Sequence, residues 1–332
     1  MSFWNKLEKP FFCLAPMEDV TDVVFRSVVL KAGRPDVFFT EFMNTDGFCH
    51  PNGRANVAKR LVFELQEGPV VAQIWGSNPQ KFAQTSLELV KLGFDGIDIN
   101  MGCPAKIIVK TGGGSALIEK PELAVKIIQA TQRAVQDTGV AISVKTRLGV
   151  YQIDEWKPWL TSLLNQQLDA LTVHLRTRKE MSKVPAHYEL IPEIADLRDR
   201  IAPHTKLIIN GDVRDRAHGL ELSQQHPVVD GWMIGRGVFT NPFCFEKKPR
   251  QHSNQDLVDL LEYHLDLFDE LGEERLFEPL KRFFKIYINN FSGSKDLREK
   301  LMASHSTVEV RDILKEFQNN ANNVQLKGIK QR

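Results

Sequence analysis

The chain has 332 residues, 42% of them apolar and 26% charged, and Lys plus Arg offset Asp plus Glu to a formal net charge of +1. That length accommodates one large domain with a smaller one, or two ordinary domains, and the composition excludes a chain that is disordered throughout. No run approaches the roughly 20 apolar residues that span a bilayer. The first residues mix Lys6, Glu8 and Lys9 with Phe3 and Trp4 and lack the layout of a secretory signal, so a cytoplasmic location is expected.

Eight short apolar runs follow one another at 11–16, 37–42, 70–75, 96–100, 141–145, 170–174, 207–210 and 231–234. Amphipathic stretches such as 79–92 and 121–136 lie between them. Short, nearly continuous apolar strands alternating with helices indicate a parallel sheet covered on both faces. Eight such units within about 250 residues fit a (β/α)8 TIM barrel better than an open doubly wound sheet. An open dinucleotide-binding sheet would need a Gly-x-G-x-x-Gly turn after the first strand. Here Met17-Glu18-Asp19-Val20-Thr21-Asp22 follows instead. Beyond Asn241-Pro242 the texture changes: Lys247-Lys248-Pro249-Arg250 reads as a linker, and Leu257, Leu260, Leu261, Leu267 and Phe268 fall largely on one helical face. Phe283, Phe284, Ile286, Tyr287 and Ile288 suggest a further helix. The expected organisation is a barrel over 1–245 followed by a small all-helical C-terminal domain over 246–332.

In a barrel of this kind the chemistry sits where the strands end. The third run carries Gln73, the fourth Asp98 and Asn100, the fifth Lys145 and Arg147, and the sixth His174 and Arg176. The seventh ends in Asn210-Gly211-Asp212 and the eighth in Gly235-Arg236-Gly237. Side chains repeat every two residues along a strand, so Asp98 and Asn100 share a face, as do Lys145 and Arg147. Convergence of six strand ends on polar groups indicates a ring of active-site residues. The last two ends suit an anion, because glycine lets backbone approach a phosphate and Arg236 offers a forked donor. Among the cysteines, Cys13 and Cys244 sit in apolar surroundings and read as packed hydrophobes. Cys49 has no assigned role. Cys103, in Asn100-Met101-Gly102-Cys103-Pro104, is delivered to the mouth by the fourth strand, although a small residue in a tight turn would look the same. No Cys-x-x-Cys pair exists, which argues against zinc and against a disulfide framework. The segment Lys110 to Ser115 reads as a flexible glycine loop over the same face. From Pro279 onward eleven Lys/Arg face five acidic residues. A phosphate-binding surface and a solvated helical face would each produce that balance.

Together the stretches Ala15-Pro16-Met17-Glu18-Asp19-Val20-Thr21-Asp22, Phe25-Arg26, Asp98 to Pro104, Lys145-Thr146-Arg147-Leu148-Gly149, His174 to Arg178, Asn210-Gly211-Asp212, and Gly235-Arg236-Gly237 with Asn241-Pro242 resemble the tRNA-dihydrouridine synthase family. They occur in the family's order, and Asn-x-Gly-Cys-Pro is the most specific of them. The resemblance implies FMN in the barrel mouth, reduced by NADPH or NADH, and tRNA as the substrate; a monomer is the default for a protein that binds tRNA. It places Gln73, Lys145 and His174 against the flavin, with Ala15, Pro16 and Met17 flanking the ring. Asn210, Gly211, Asp212, Gly235 and Arg236 match the positions that hold its phosphate. Cys103 matches the catalytic acid, and Asn100, Arg147 and Arg178 match positions that contact the uracil. Two departures stand out: Leu175 follows His174 where the family has glycine, and 179–187 lacks the usual aromatic-glycine pattern, with Tyr188 arriving late. An altered substrate-side loop around Arg178 is therefore expected. A flavin barrel acting on a free pyrimidine, as in dihydroorotate dehydrogenases, would not need the basic helical tail. An RNA-binding protein without chemistry would not need Cys103, Lys145 and Arg236.

Overall fold

Val, Ile, Leu and Phe occupy both faces of eight strands, which forces those strands to be covered inside and out. In the computed structural model, which describes residues 2–64, 66–270, 275–289, 291 and 293–329, these are β1 Phe11–Leu14, β2 Phe38–Asn44, β3 Val70–Trp75, β4 Gly96–Met101, β5 Ala141–Arg147, β6 Ala170–His174, β7 Lys206–Asn210 and β8 Gly231–Ile234. They form one parallel sheet in the order β1-β8-β7-β6-β5-β4-β3-β2. The sheet curls until its ends meet: Cys13 bridges Val37, and Leu14 N–H donates to the Val37 carbonyl at 3.1 Å. The observed strands follow the apolar runs closely. β1 stops two residues short of Pro16, which has no N–H to continue a ladder, and β5 runs on to Arg147, still paired with His174 of β6.

Helices fill the connections. Pro79–Leu92 starts with the Asn78 side chain accepting from the Gln80 and Lys81 N–H groups and with proline at its first position. Pro121–Val135 also begins on a proline. Strand residues such as Phe12, Ile74, Ile97, Val144, Leu171 and Trp232 pack outward into the large apolar core. Their alternates, including Phe11, Cys13, Phe39, Val71, Ala141, Ala170, Ile208 and Met233, form a second cluster inside the curl, closed at one end by Trp4. One or two steps further along the same strands the inward positions become polar, with Gln73, Asp98, Ser143, Lys145, Thr172 and Asn210. This stepwise change positions the site.

The C-terminal segment is helical, comprising Asn254–Glu270, the short turns Glu278–Phe283 and Phe284–Tyr287, Ser294–Ala303 and Thr307–Ile329. Asn254–Glu270 buries Val258, Leu260, Leu261, His264 and Leu265, while Leu257, Leu267 and Phe268 of the expected face are only partly covered. The segment packs against helix Val23–Ala32, where Phe25 stacks on Phe283 at 4.9 Å. Two arginines tie it to the loop after β1: Arg275 to Asp22 at 2.7 Å and Arg282 to the Asp19 carbonyl at 2.8 Å. Among the described residues no helix is long and apolar enough to cross a membrane.

Candidate active site at the strand ends

Two cavities adjoin at the C-terminal ends of the strands. The larger, of about 780 Å³, lies over β1, β5, β6, β7 and β8 and is lined by Ala15, Pro16, Met17, Lys145, Arg147, His174, Asn210, Gly211, Asp212, Gly235 and Arg236, among others. That size suits a cofactor or drug-sized ligand, which typically occupies about 300–1,000 Å³. Lys145 Nζ donates to Asn210 Oδ1 at 3.1 Å, and Asn210 Nδ2 donates to the Met233 carbonyl at 2.9 Å, fixing the amide from both sides. Burial, with Arg147 beside it, pulls the Lys145 ammonium down to about 8. His174 is held well below its usual value by burial and by Arg147, Lys145 and Arg176, so it is a neutral imidazole at physiological pH. Arg176 spans the floor. It donates to the Val184 carbonyl at 2.6 Å, approaches His174 Nε2 at 3.1 Å and pairs with Asp212. Burial raises the Asp212 carboxyl, but the bonds from Arg176 and the Ala186 N–H outweigh it and leave a net downward shift. Arg236 completes that corner at 3.1 Å from Asp212. Gly237 is obligatory there, because a Cβ would lie 2.0 Å from the Arg214 carbonyl oxygen.

The smaller cavity, of about 160 Å³, is lined by Pro16, Phe42, Gln73, Asn100, Gly102, Cys103, Pro104, Lys145 and Arg147. A chain of hydrogen bonds runs beneath it. Ser143 Oγ and Gln73 Nε2 donate to the two Asp98 oxygens at 2.6 and 2.7 Å, and Asn100 Nδ2 donates to Gln73 Oε1 at 2.8 Å. Asn100 Oδ1 then accepts from the Gly102 and Cys103 N–H groups at 3.1 and 2.9 Å. Each amide is thus oriented by its neighbours, and the loop bearing the thiol is fixed by the strand below it. Burial raises the Asp98 carboxyl to about 6. Burial also raises the Cys103 thiol, so the group stays protonated at neutral pH. In the glycine segment, Ser115 N–H donates to the Cys103 carbonyl at 3.0 Å. At Gly114, where φ is +56°, a Cβ would come within 2.7 Å of that carbonyl oxygen.

Every residue expected at the flavin or the acid therefore lines one of the two cavities, and Asn100 and Arg147 join them. Arg147 is committed to backbone: its Nε donates to the Gly102 carbonyl at 2.8 Å and its Nη1 to Met181 and Thr177 carbonyls at 2.9 and 3.2 Å. Burial lowers it to about 10, still a cation. Arg178 lines neither cavity; it pairs with Glu119 at 2.8 Å and lies 5.5 Å over the Tyr151 ring. Arg214 and Asp215, which also line the larger cavity, carry no signal in the sequence, whereas Arg176 belongs to the expected ring of polar strand ends without a particular role. Arg176 carried a signal, standing two residues after His174 and so on the same strand face. The basic tail is also less free than its composition suggests. Lys281 pairs with Glu278, Arg282 with Asp19, Lys300 with Glu316, and Arg298 donates to the Ile288 carbonyl.

The curled eight-stranded parallel sheet carries a thiol, the cations Lys145 and Arg147, and an Asp212–Arg236 corner at one end, and comparison with known proteins gives the family. The model of the family described as "Dihydrouridine synthase (Dus)" matches residues 13–323. The chain belongs to that family. A protein of Staphylococcus aureus (strain N315) named "Probable tRNA-dihydrouridine synthase" is 56% identical over 319 residues, covering 96% of each chain. "Probable tRNA-dihydrouridine synthase 2" of Bacillus subtilis (strain 168) is 55% identical, covering 96% of this chain and 97% of its own. A solved morphinone reductase in complex with tetrahydroNAD aligns with a TM-score of 0.48 and 12% identity, covering 70% of this chain and 84% of its own. That likeness is too low to add to what the strand order shows.

Proposed function

We propose that this protein reduces specific uridines in tRNA to 5,6-dihydrouridine in the cytoplasm, with FMN in the larger cavity and NADPH or NADH as the reductant. The fold completing this reading is a (β/α)8 barrel over 1–245 with a helical tRNA-binding domain over 246–332, acting as a monomer. The observation that carries it is the placement of Cys103: a protonated thiol in a small cavity that opens beside a larger one with a cationic end.

The residues present fit FMN by their chemistry. Arg236 and the backbone around Gly211 and Gly235 would hold the phosphate, and Asp212 orients Arg236 for it. Gln73, Lys145 and the neutral His174 would face the ring system, with Ala15, Pro16 and Met17 along its edge. When bound and reduced, such a flavin would supply the hydride that uracil accepts at C6. The remaining work belongs to this chain's own groups. Cys103 holds the proton destined for C5, and its upward-shifted thiol suits an acid better than a nucleophile. Asn100 keeps the Cys103 backbone in place, and the Arg147 Nη2 group, which is not among its bonds to backbone, would with Lys145 present donors to the uracil carbonyls. A positioned acid contributes roughly 10²–10⁴-fold, and donors aimed at developing negative charge in a water-poor cavity add to it. The target base must leave its stack to enter, at a cost of about a few kcal/mol.

The test is incubation of purified, flavin-loaded protein with unmodified tRNA and NADPH, then nuclease digestion and mass spectrometry. A uridine gaining two hydrogens is the expected result. Yellow protein that oxidises NADPH but leaves every uridine unchanged would overturn the tRNA reading.

A further inference from the structure

The rim beside the small cavity combines an exposed aromatic ring with exposed cations. Three loops meet there, following β4, β5 and β6. The β5 and β6 loops run side by side, with Arg178 N–H donating to the Gly149 carbonyl at 2.8 Å and Lys179 N–H to the Val150 carbonyl at 2.9 Å. At this junction Tyr151 stands 56% exposed, four residues beyond Arg147 of the small cavity. The Arg178 guanidinium covers one side of its ring at 5.5 Å and is itself held by Glu119 at 2.8 Å. Arg178 Nη2 also reaches the Tyr151 hydroxyl at 3.4 Å. The phenol is therefore backed by a cation that Glu119 holds, while more than half of the residue's surface stays exposed.

The surrounding charge points to one kind of partner. Lys106 and Lys110, on the short helix that follows Cys103, and Lys179, beside Tyr151, are exposed. Among the described residues these three make no ion pair; in the tail Lys281, Arg282 and Lys300 do, while Lys285, Lys295 and Lys315 do not. An exposed aromatic ring with an unpaired lysine beside it is an arrangement that binds single-stranded nucleic acid, through base stacking and phosphate neutralisation.

Resting on the tRNA reading above, we propose that Tyr151, backed by Arg178, stacks the base of a nucleotide adjacent to the uridine being reduced, while Lys179 contacts the neighbouring phosphate. The platform occupies the rim and leaves the small cavity to the uracil. Arg178, matched by resemblance to a uracil contact, instead stiffens the Tyr151 ring in this chain. The expected stacking effect is about 5- to 150-fold in affinity for one base on one ring.

The experiment measures the Kd of fluorescently labelled unmodified tRNA for the flavin-loaded protein and its Tyr151→Ala, Tyr151→Phe and Lys179→Ala variants, alongside NADPH-dependent flavin reduction without RNA. Tyr151→Ala should weaken binding about tenfold, Tyr151→Phe should bind like the parent, and all should reduce flavin at the parental rate. Lys179→Ala should lessen the slope of log Kd against log salt by about 0.7, one phosphate on a single strand. An unchanged Kd for Tyr151→Ala overturns the inference, as does equal weakening by Tyr151→Phe. Parental protein that binds tRNA yet forms no dihydrouridine would sink the functional reading alone, and the Tyr151 comparison would still decide this one. Parental protein that binds no tRNA would overturn both.

Discussion

The two ends of the curled sheet are made from the same strands and do opposite things. At the N-terminal ends Phe11, Phe39, Val71, Ala141, Ala170 and Ile208 point inward and Trp4 closes the stack, its ring centroid 5.6 Å from Phe11 and 6.4 Å from Phe39. At the other end the inward positions are Gln73, Asn100, Lys145, His174 and Asn210. On β5 the change takes place within one strand, from buried Ala141 through Ser143 to Lys145 and Arg147. One end gains from removing apolar area from water. The other desolvates ionisable groups, and the shifts at Lys145, His174, Asp98 and Cys103 all have burial as their leading cause. Within the curl, apolar packing lies at one end and buried ionisable groups at the other, and substitutions should separate the two.

The largest expected effect lies at the mouth and leaves the fold alone. Cys103→Ala should lower dihydrouridine formation by roughly 10²–10⁴-fold in a single turnover of pre-reduced enzyme. The melting temperature and the rate of flavin reduction by NADPH should stay near parental values. Full activity in this variant would remove Cys103 from the acid role. The complementary change is Trp4→Ala. It should cost about 3–5 kcal/mol of stability in a urea titration, with flavin content per folded molecule unchanged. Trp4→Phe should cost far less, because the indole N–H finds no partner where it is buried. A Trp4→Ala protein that stayed as stable as the parent would mean that the packing inside the apolar end adds little to stability.

How far each end could be read from the sequence follows from the range of the interactions. Strand positions and inward faces were legible, since a period of two is local, and with them came Gln73, Asn100, Cys103, Lys145 and Asn210. Contacts set by distant partners were not. Glu119 meets Arg178 across 59 residues, and Arg282 reaches the Asp19 carbonyl across 263. A count of tail charges gives no hint that several are already paired. Arg26 is a similar case: it is fully buried, donating to Glu67 at 2.5 Å and to the Thr21 and Val62 carbonyls at 2.7 Å. Nothing in Phe25-Arg26 alone distinguishes that anchor from a ligand contact.

Glu41 offers the smallest effect and the sharpest test of the cost of the polar end. It sits on β2 at the loop that carries Pro16 and Met17, 7% exposed, and accepts from the Asp19 N–H at 2.7 Å. Burial first, then the Asp22 and Glu18 carboxylates, raise it from 4.5 to about 7, against the opposing pull of Arg60 and the Asp19 N–H. A folded-state value above the unfolded one means that the folded protein holds this proton more tightly. Its stabilising contribution is full below about 4.5 and is lost as the pH rises through about 7. At pH 8 the folded protein therefore carries a desolvated carboxylate among like charges. Glu41→Gln retains an oxygen for the Asp19 N–H and removes that charge. It should raise the stability at pH 8 by about 1–3 kcal/mol and change it little at pH 4.5, as read from urea midpoints at the two pH values. An equal gain at both would assign the effect to packing, and a loss at both would mean that the carboxylate supports the loop in a way its amide cannot.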